Sequence, residues 1–135
     1  SQYQQGSQFV QTDTGLVYQV VYTVNSVGTA TAANWVYFSG IENVTQATLP
    51  TGLGKNDIGL TVNVTDFAHS LQWDGTGWQW SPADHGSGYI VAFVNPPLTN
   101  GWQACDGSTN VPTLQSDGTL TFVTVPTISG SYYRQ

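Results

Sequence analysis

Residues 60–66 read LTVNVTD, and just beyond them residues 69–80 read HSLQWDGTGWQW. In the first stretch Leu60, Val62 and Val64 alternate with Thr61, Asn63 and Thr65. A period of two puts apolar side chains on one face of a strand and leaves the other face wet. In the second stretch Trp73 and Trp78 flank DGTG. A turn there sets the two indoles opposite each other, and Trp80 returns to the Trp78 side two residues later. A helix would need apolar residues at a period of 3.6. No window of the chain offers that without Gly, Pro or dense Thr interrupting it. The pattern predicts a mainly β protein.

The same alternation extends outward. In LVYQVVYTV (16–24), Leu16, Tyr18, Val20, Tyr22 and Val24 share one face, and TLTFVTV (119–125) alternates again. GYIVAFV (88–94) is short and continuously apolar, which predicts a strand covered on both sides. Asp-Gly pairs at 74–75, 106–107 and 117–118 and Asn-Gly at 100–101 supply the positive φ that tight turns need. NPPLTNG (95–101) is excluded from a central strand because proline lacks the ladder donor. TGLGKNDIG (51–59) is glycine-spaced and reads as a loop holding the only lysine. The Gln-, Ser- and Thr-rich residues 1–15 read as an arm or linker. Residues 16–135 then form one compact β domain, a sandwich or, on the family resemblance given below, collar-like, with no internal repeat.

Composition narrows the partners. Of 135 residues only 7% are charged, against a usual share of about 25%. The net charge is −6, and the only basic residues are Lys55 and Arg134. A nucleic-acid partner needs clustered cations to displace counterions, and an anionic membrane surface needs the same sign. Neither is expected, and no run of about 18 apolar residues is present for membrane insertion. Abundant aromatic and β-branched residues argue against disorder. SQYQQGSQF, at the start, lacks the basic and apolar regions of a signal peptide. A single cysteine leaves no internal disulfide, so rigidity is expected from packing or oligomerisation.

Cys105 lies in GWQACDG (101–107), bracketed by Trp102, Asp106 and glycines. A nucleophilic thiolate needs a base, a cation or a helix N-terminus, whereas adjacent Asp106 would raise the thiol pKa. Cys105 therefore reads as a small buried hydrophobe in a shaped turn. The aromatic hairpin has two readings. Trp73, Trp78 and Trp80 form a platform for pyranose rings, with Asp74, Gln72 and Gln79 bonding hydroxyls, or the indoles are core. For any single tryptophan, core weighs more. Asp84 and His85 in the following loop extend the candidate glycan site. DFAH (66–69) and ADH (83–85) each place a carboxylate near an imidazole, but transition-metal sites usually want three converging ligands. No metal and no cofactor is expected. Most of the seven Asp sit in turn motifs, and no nucleophile-elbow, P-loop or dinucleotide motif occurs, so the chain reads as non-enzymatic. Two NVT sequons, at 43–45 and 63–65, read as chance products of a Thr-rich β chain.

The C-terminal third carries a family resemblance. Gly101, Trp102, Cys105, Asp106 and Gly107, followed loosely by Pro126, Ile128 and Gly130, resemble the tail-collar type of bacteriophage fibre domain. Thr127 and Ser129 stand where that family usually has Asp and Arg. VTDFAHSLQWDGTGWQW is similar to an aromatic hairpin of phage fibre and spike proteins. The resemblance covers about residues 60–130 and implies a virion tail-fibre tip, intertwined as a homotrimer with other virion proteins and contacting host cell-surface carbohydrate. It also implies a structural role for the Cys-Asp-Gly segment and a virion or extracellular location. The alternatives are a purely structural decoration or fibre-assembly protein, and a secreted carbohydrate-binding module or carbohydrate-active enzyme.

Overall fold

The fold is that of a computed structural model, which describes residues 6–20 and 35–135. The alternating stretch forms β5 (Thr61–Val64), and the aromatic stretch forms β6 (His69–Trp73) and β7 (Trp78–Trp80). They join β4 (Ile41–Val44) in a mixed sheet ordered β4-β5-β6-β7. β4 and β5 run parallel, so their connection must cross over, and it does so through two short 3-10 turns at Gln46–Thr48 and Lys55–Asp57. The parallel register sets Asn43 beside Asn63 and Val44 beside Val64. The two NVT triplets are thus one pattern used twice: Asn outward, Val in the core, Thr at the strand end.

The remaining strands complete three smaller sheets. β1 (Gln8–Val10), β2 (Val17–Val20) and β3 (Trp35–Ser39) form an antiparallel sheet. Residues 8–10, within the expected arm, therefore pair with β2, opposite residues 17–19. Tyr22 and Val24 lie outside the described residues. β8 (Ile90–Ala92), β9 (Trp102–Asp106) and β12 (Thr127–Arg134) are ordered β8-β12-β9, and β10 (Val111–Leu114) and β11 (Leu120–Val123) make a hairpin. GYIVAFV, expected to be covered on both faces, is instead an edge strand with Ile90 and Ala92 exposed. Among the described residues only β12 pairs with it.

Among the described residues two apolar clusters join the four-stranded sheet, the β10–β11 hairpin and the β8-β12-β9 sheet. Val44, Val62, Val64, Phe67 and Leu71 pack with Leu114, and Trp78, Trp80 and Leu120 close against them. Cys105, Val111, Val125 and Tyr133 form the second cluster, with Val123 against it. The β10–β11 hairpin serves both. Its cross-strand pair Leu114–Leu120 enters the first cluster, and its pair Val111–Val123 enters the second. Between them Thr113 and Tyr133 share a buried hydroxyl contact of 2.9 Å.

All four Asx/Gly turn glycines have positive φ, but not all make hairpins. Asp74–Gly75 and Asp117–Gly118 close the β6–β7 and β10–β11 hairpins, whereas Asp106–Gly107 joins strands of different sheets. In each Asp-Gly case the carboxylate accepts from the backbone N–H and the hydroxyl of the residue two on: Thr76, Ser108 and Thr119. The repeated signature is therefore D-G-S/T, a carboxylate-locked turn.

Candidate functional site

The aromatic hairpin forms as its sequence predicts. Trp73 and Trp78 are directly opposed, ring centroids 5.4 Å apart and nearly perpendicular. The register also aligns Leu71 with Trp80 and with Val62, so the indoles project from the same sheet face as the core. Trp73 donates from Nε1 to the Gly54 carbonyl at 3.0 Å. Trp80 lies against the His69 ring at 4.6 Å, and a Cβ at Gly86 would meet its Nε1 at 3.1 Å. All three indoles are half-buried structural pieces, while Gln72 and Gln79 point the other way. Asp74 is exposed, but its Oδ1 is occupied by Thr76 and Gly77. Those bonds, led by the Thr76 amide, hold its carboxyl below its usual pKa.

The second part of the expected glycan site separates into two fates. His85 is exposed to solvent. Asp84 turns inward and accepts from the Ser70 amide at 2.7 Å, the Gly86 amide at 2.8 Å and His69 Nδ1 at 2.9 Å. Burial pushes its carboxyl pKa up, but these donors outweigh burial and leave it below the usual value. The sequence neighbours are thus not the partners. His69 pairs with Asp84 rather than with Asp66, which instead accepts from the Gln46 amide at 3.1 Å. Among the described residues no group of three or more His, Cys, Asp or Glu is placed to hold a metal.

His69 is only 2% exposed, and burial lowers its pKa. Because Nδ1 donates to the Asp84 carboxylate, the neutral ring carries its lone pair at Nε2, which makes no hydrogen bond of good geometry. Arg134, which the sequence marks only as a rare base, stands on the Nδ1 side at 3.4 Å. Its guanidinium donates to the carbonyls of Phe67 at 2.7 Å, Gly101 at 2.9 Å and Ala68, and lies 5.4 Å from the Trp102 ring centre. No local motif announces such a clamp, since its acceptors are backbone atoms distant in sequence.

In GWQACDG each of the singled-out residues has protein neighbours of its own. A Cβ on Gly101 would collide with Arg134 and the Phe67 carbonyl, and its φ is +93°. Trp102 meets the edges of Tyr89 and Phe93 at 5.8 and 5.0 Å. Cys105 is a free, buried thiol in the second cluster. Asp106 locks Ser108, chiefly through its hydroxyl, and this lowers the Asp106 pKa. A Cβ on Gly107 would stand 2.9 Å from Thr127 Oγ1.

Open clefts lie elsewhere. One of about 540 Å³ separates Tyr18 and Trp35 from the 52–57 loop. There burial, with Asp57 3.2 Å from the hydroxyl, pushes the Tyr18 pKa up to about 12. Two others adjoin, sharing Ala68 and Ser70. One, of about 390 Å³, runs past Asp84, His85, Tyr89, Asn100 and Trp102. The other, of about 370 Å³, lies along Asn43, Asn63 and Thr65. Comparison with known proteins returns no match, whether to a family model, a curated protein or a solved structure.

Proposed function

We propose that the chain is a non-enzymatic subunit of a virion fibre tip or adhesion knob, assembled as a homotrimer with other virion proteins and exposed to host-surface carbohydrate. The observation that carries assembly is the apolar surface of the single chain. Val94 and Leu98 are 101% and 98% exposed, and Ile90 on the edge strand β8 and Ile128 on β12 are exposed as well. Lone exposed apolar residues need no explanation, but two bare aliphatic side chains beside an open apolar strand edge are the features that association covers. The resemblance of residues 101–130 to tail-collar domains supports the same reading. Its non-enzymatic character rests on how the reactive groups are engaged. Cys105 sits among apolar side chains, Asp74, Asp106 and Asp117 lock turns, and the His69–Asp84 pair is buried.

The inward tryptophans favour assembly over a glycan platform made by the hairpin itself. Stacking a sugar on Trp78 or Trp80 would require uncovering rings that already close the core, and Trp73 is held edge-on against Trp78 and by the Gly54 carbonyl. Light scattering tests the proposal: a particle of three times the 14.5 kDa chain is expected, and a 14.5 kDa species at micromolar concentration overturns it.

A further inference from the structure

The two adjoining clefts share Ala68 and Ser70 and are lined mainly by polar side chains. Asn63 donates from Nδ2 to Asn43 Oδ1 at 3.0 Å and accepts from Ser70 Oγ at 3.0 Å through its own Oδ1. Three strands thus carry a wired ladder across the sheet. All three residues line the cleft, and after these two bonds the chemistry of the side chains leaves further amide hydrogens on Asn43 and Asn63 and hydroxyl lone pairs on Ser70 to bond a ligand. Beyond Ser70, Asn100 donates from Nδ2 to the Thr65 carbonyl at 3.1 Å, which leaves its Oδ1 as an acceptor. Trp102 and Tyr89 supply aromatic surface at that end. Charge is withheld throughout. The Asp84 carboxylate and the Arg134 guanidinium both border the groove, yet each is engaged by protein donors or acceptors. Where the two clefts meet lies Ala68, a non-glycine residue at φ +54° whose carbonyl Arg134 holds. Such backbone is strained and persists only where its surroundings enforce it, a condition that recurs at ligand clamps.

We infer that this continuous groove, rather than the tryptophan hairpin, binds a neutral oligosaccharide across both lobes. Vicinal hydroxyls both donate and accept, which matches amides and hydroxyls held with one group free of each kind. Pyranose faces match Trp102 and Tyr89, and a net charge of −6 disfavours an anionic ligand. Each lobe is within the usual size of a small-ligand site, so the pair takes several sugar units. The inference rests on the carbohydrate part of the proposed function and is independent of the trimer.

The test is titration calorimetry of the folded chain with neutral di- and tetrasaccharides of glucose, galactose, mannose and N-acetylglucosamine, and with oligogalacturonate as the anionic control. At least one neutral tetrasaccharide is expected to bind about ten-fold more tightly than its disaccharide, because both lobes engage. Asn43→Ala and His85→Ala, exposed and at opposite lobes, should each weaken it several-fold, with the urea midpoint unchanged. Gln79→Ala, on the same sheet but outside both clefts, should leave it unchanged. Absence of binding by every neutral tetrasaccharide overturns the inference. So does preference for oligogalacturonate, or equal affinity in all three variants. A trimer that binds no sugar sinks the groove and the carbohydrate part of the proposed function but leaves assembly standing. Sugar binding lost in Trp73→Ala but kept in Asn43→Ala and His85→Ala sinks the groove alone, and a monomer that binds sugar sinks the assembly reading alone.

Discussion

At His69 one buried imidazole nitrogen, Nδ1, faces both the Asp84 carboxylate and the Arg134 guanidinium. Protonating it would place a second positive charge beside Arg134 in a buried site, and burial is the first reason its pKa is lowered. In the unfolded chain the ring titrates near its usual value of about 6.5. Above that pH both states are neutral and His69 contributes no slope. Below it the unfolded state takes up the proton first, so stability falls with falling pH until the folded pKa is passed. The turn carboxylates act lower still, because their depressed pKa values favour the folded state only until they protonate. The urea midpoint is therefore expected to drop between pH 7 and pH 5. His69→Gln, which keeps a donor for Asp84 but does not titrate, should flatten that drop. An unchanged slope in the variant would assign the acid sensitivity to another group. Little of this was legible in the sequence. DFAH and ADH each advertise a neighbour, and the fold crosses the two, pairing His69 with Asp84.

Among the elements, the β10–β11 hairpin carries the most consequence for its size, because its two cross-strand pairs serve different clusters. Leu114 is fully buried, so Leu114→Ala is expected to cost about 3 kcal/mol in urea unfolding. Thr121→Ala, at an exposed position of the partner strand, should stay within about 0.5 kcal/mol. Similar losses for the two would mean the hairpin is not the shared wedge described. Elements with local signals were readable: the alternation of 60–64, the Trp73–Trp78 pairing and the Asp-Gly turns all concern residues a few positions apart. The parallel partnership of β4 and β5 was not, because its crossover leaves no turn signature. Its one trace was the repeated NVT, whose meaning appears only once the register is known. GYIVAFV misled for a related reason, since an apolar run reports the need for cover but not whether this chain supplies it.

For the whole molecule, the open aliphatic surface beside β8 makes the oligomeric state the decisive property. Under the proposed assembly the parent is expected to sediment as a trimer, and a Val94→Asp/Leu98→Asp variant, changed only at fully exposed positions, as a monomer. Persistence of the trimer would place the contact elsewhere. The sheet order β8-β12-β9 has a further consequence for how the protein is made. The middle strand is synthesised after both of its neighbours, so during translation β8 and β9 emerge without the ladder that joins them. Closing that sheet must wait for residues 127–134, which makes the C-terminal half a late, non-local folding step. A ribosome that stalls before Ser131 would release a nascent chain with two unsatisfied strand edges, a ready template for pairing with its siblings.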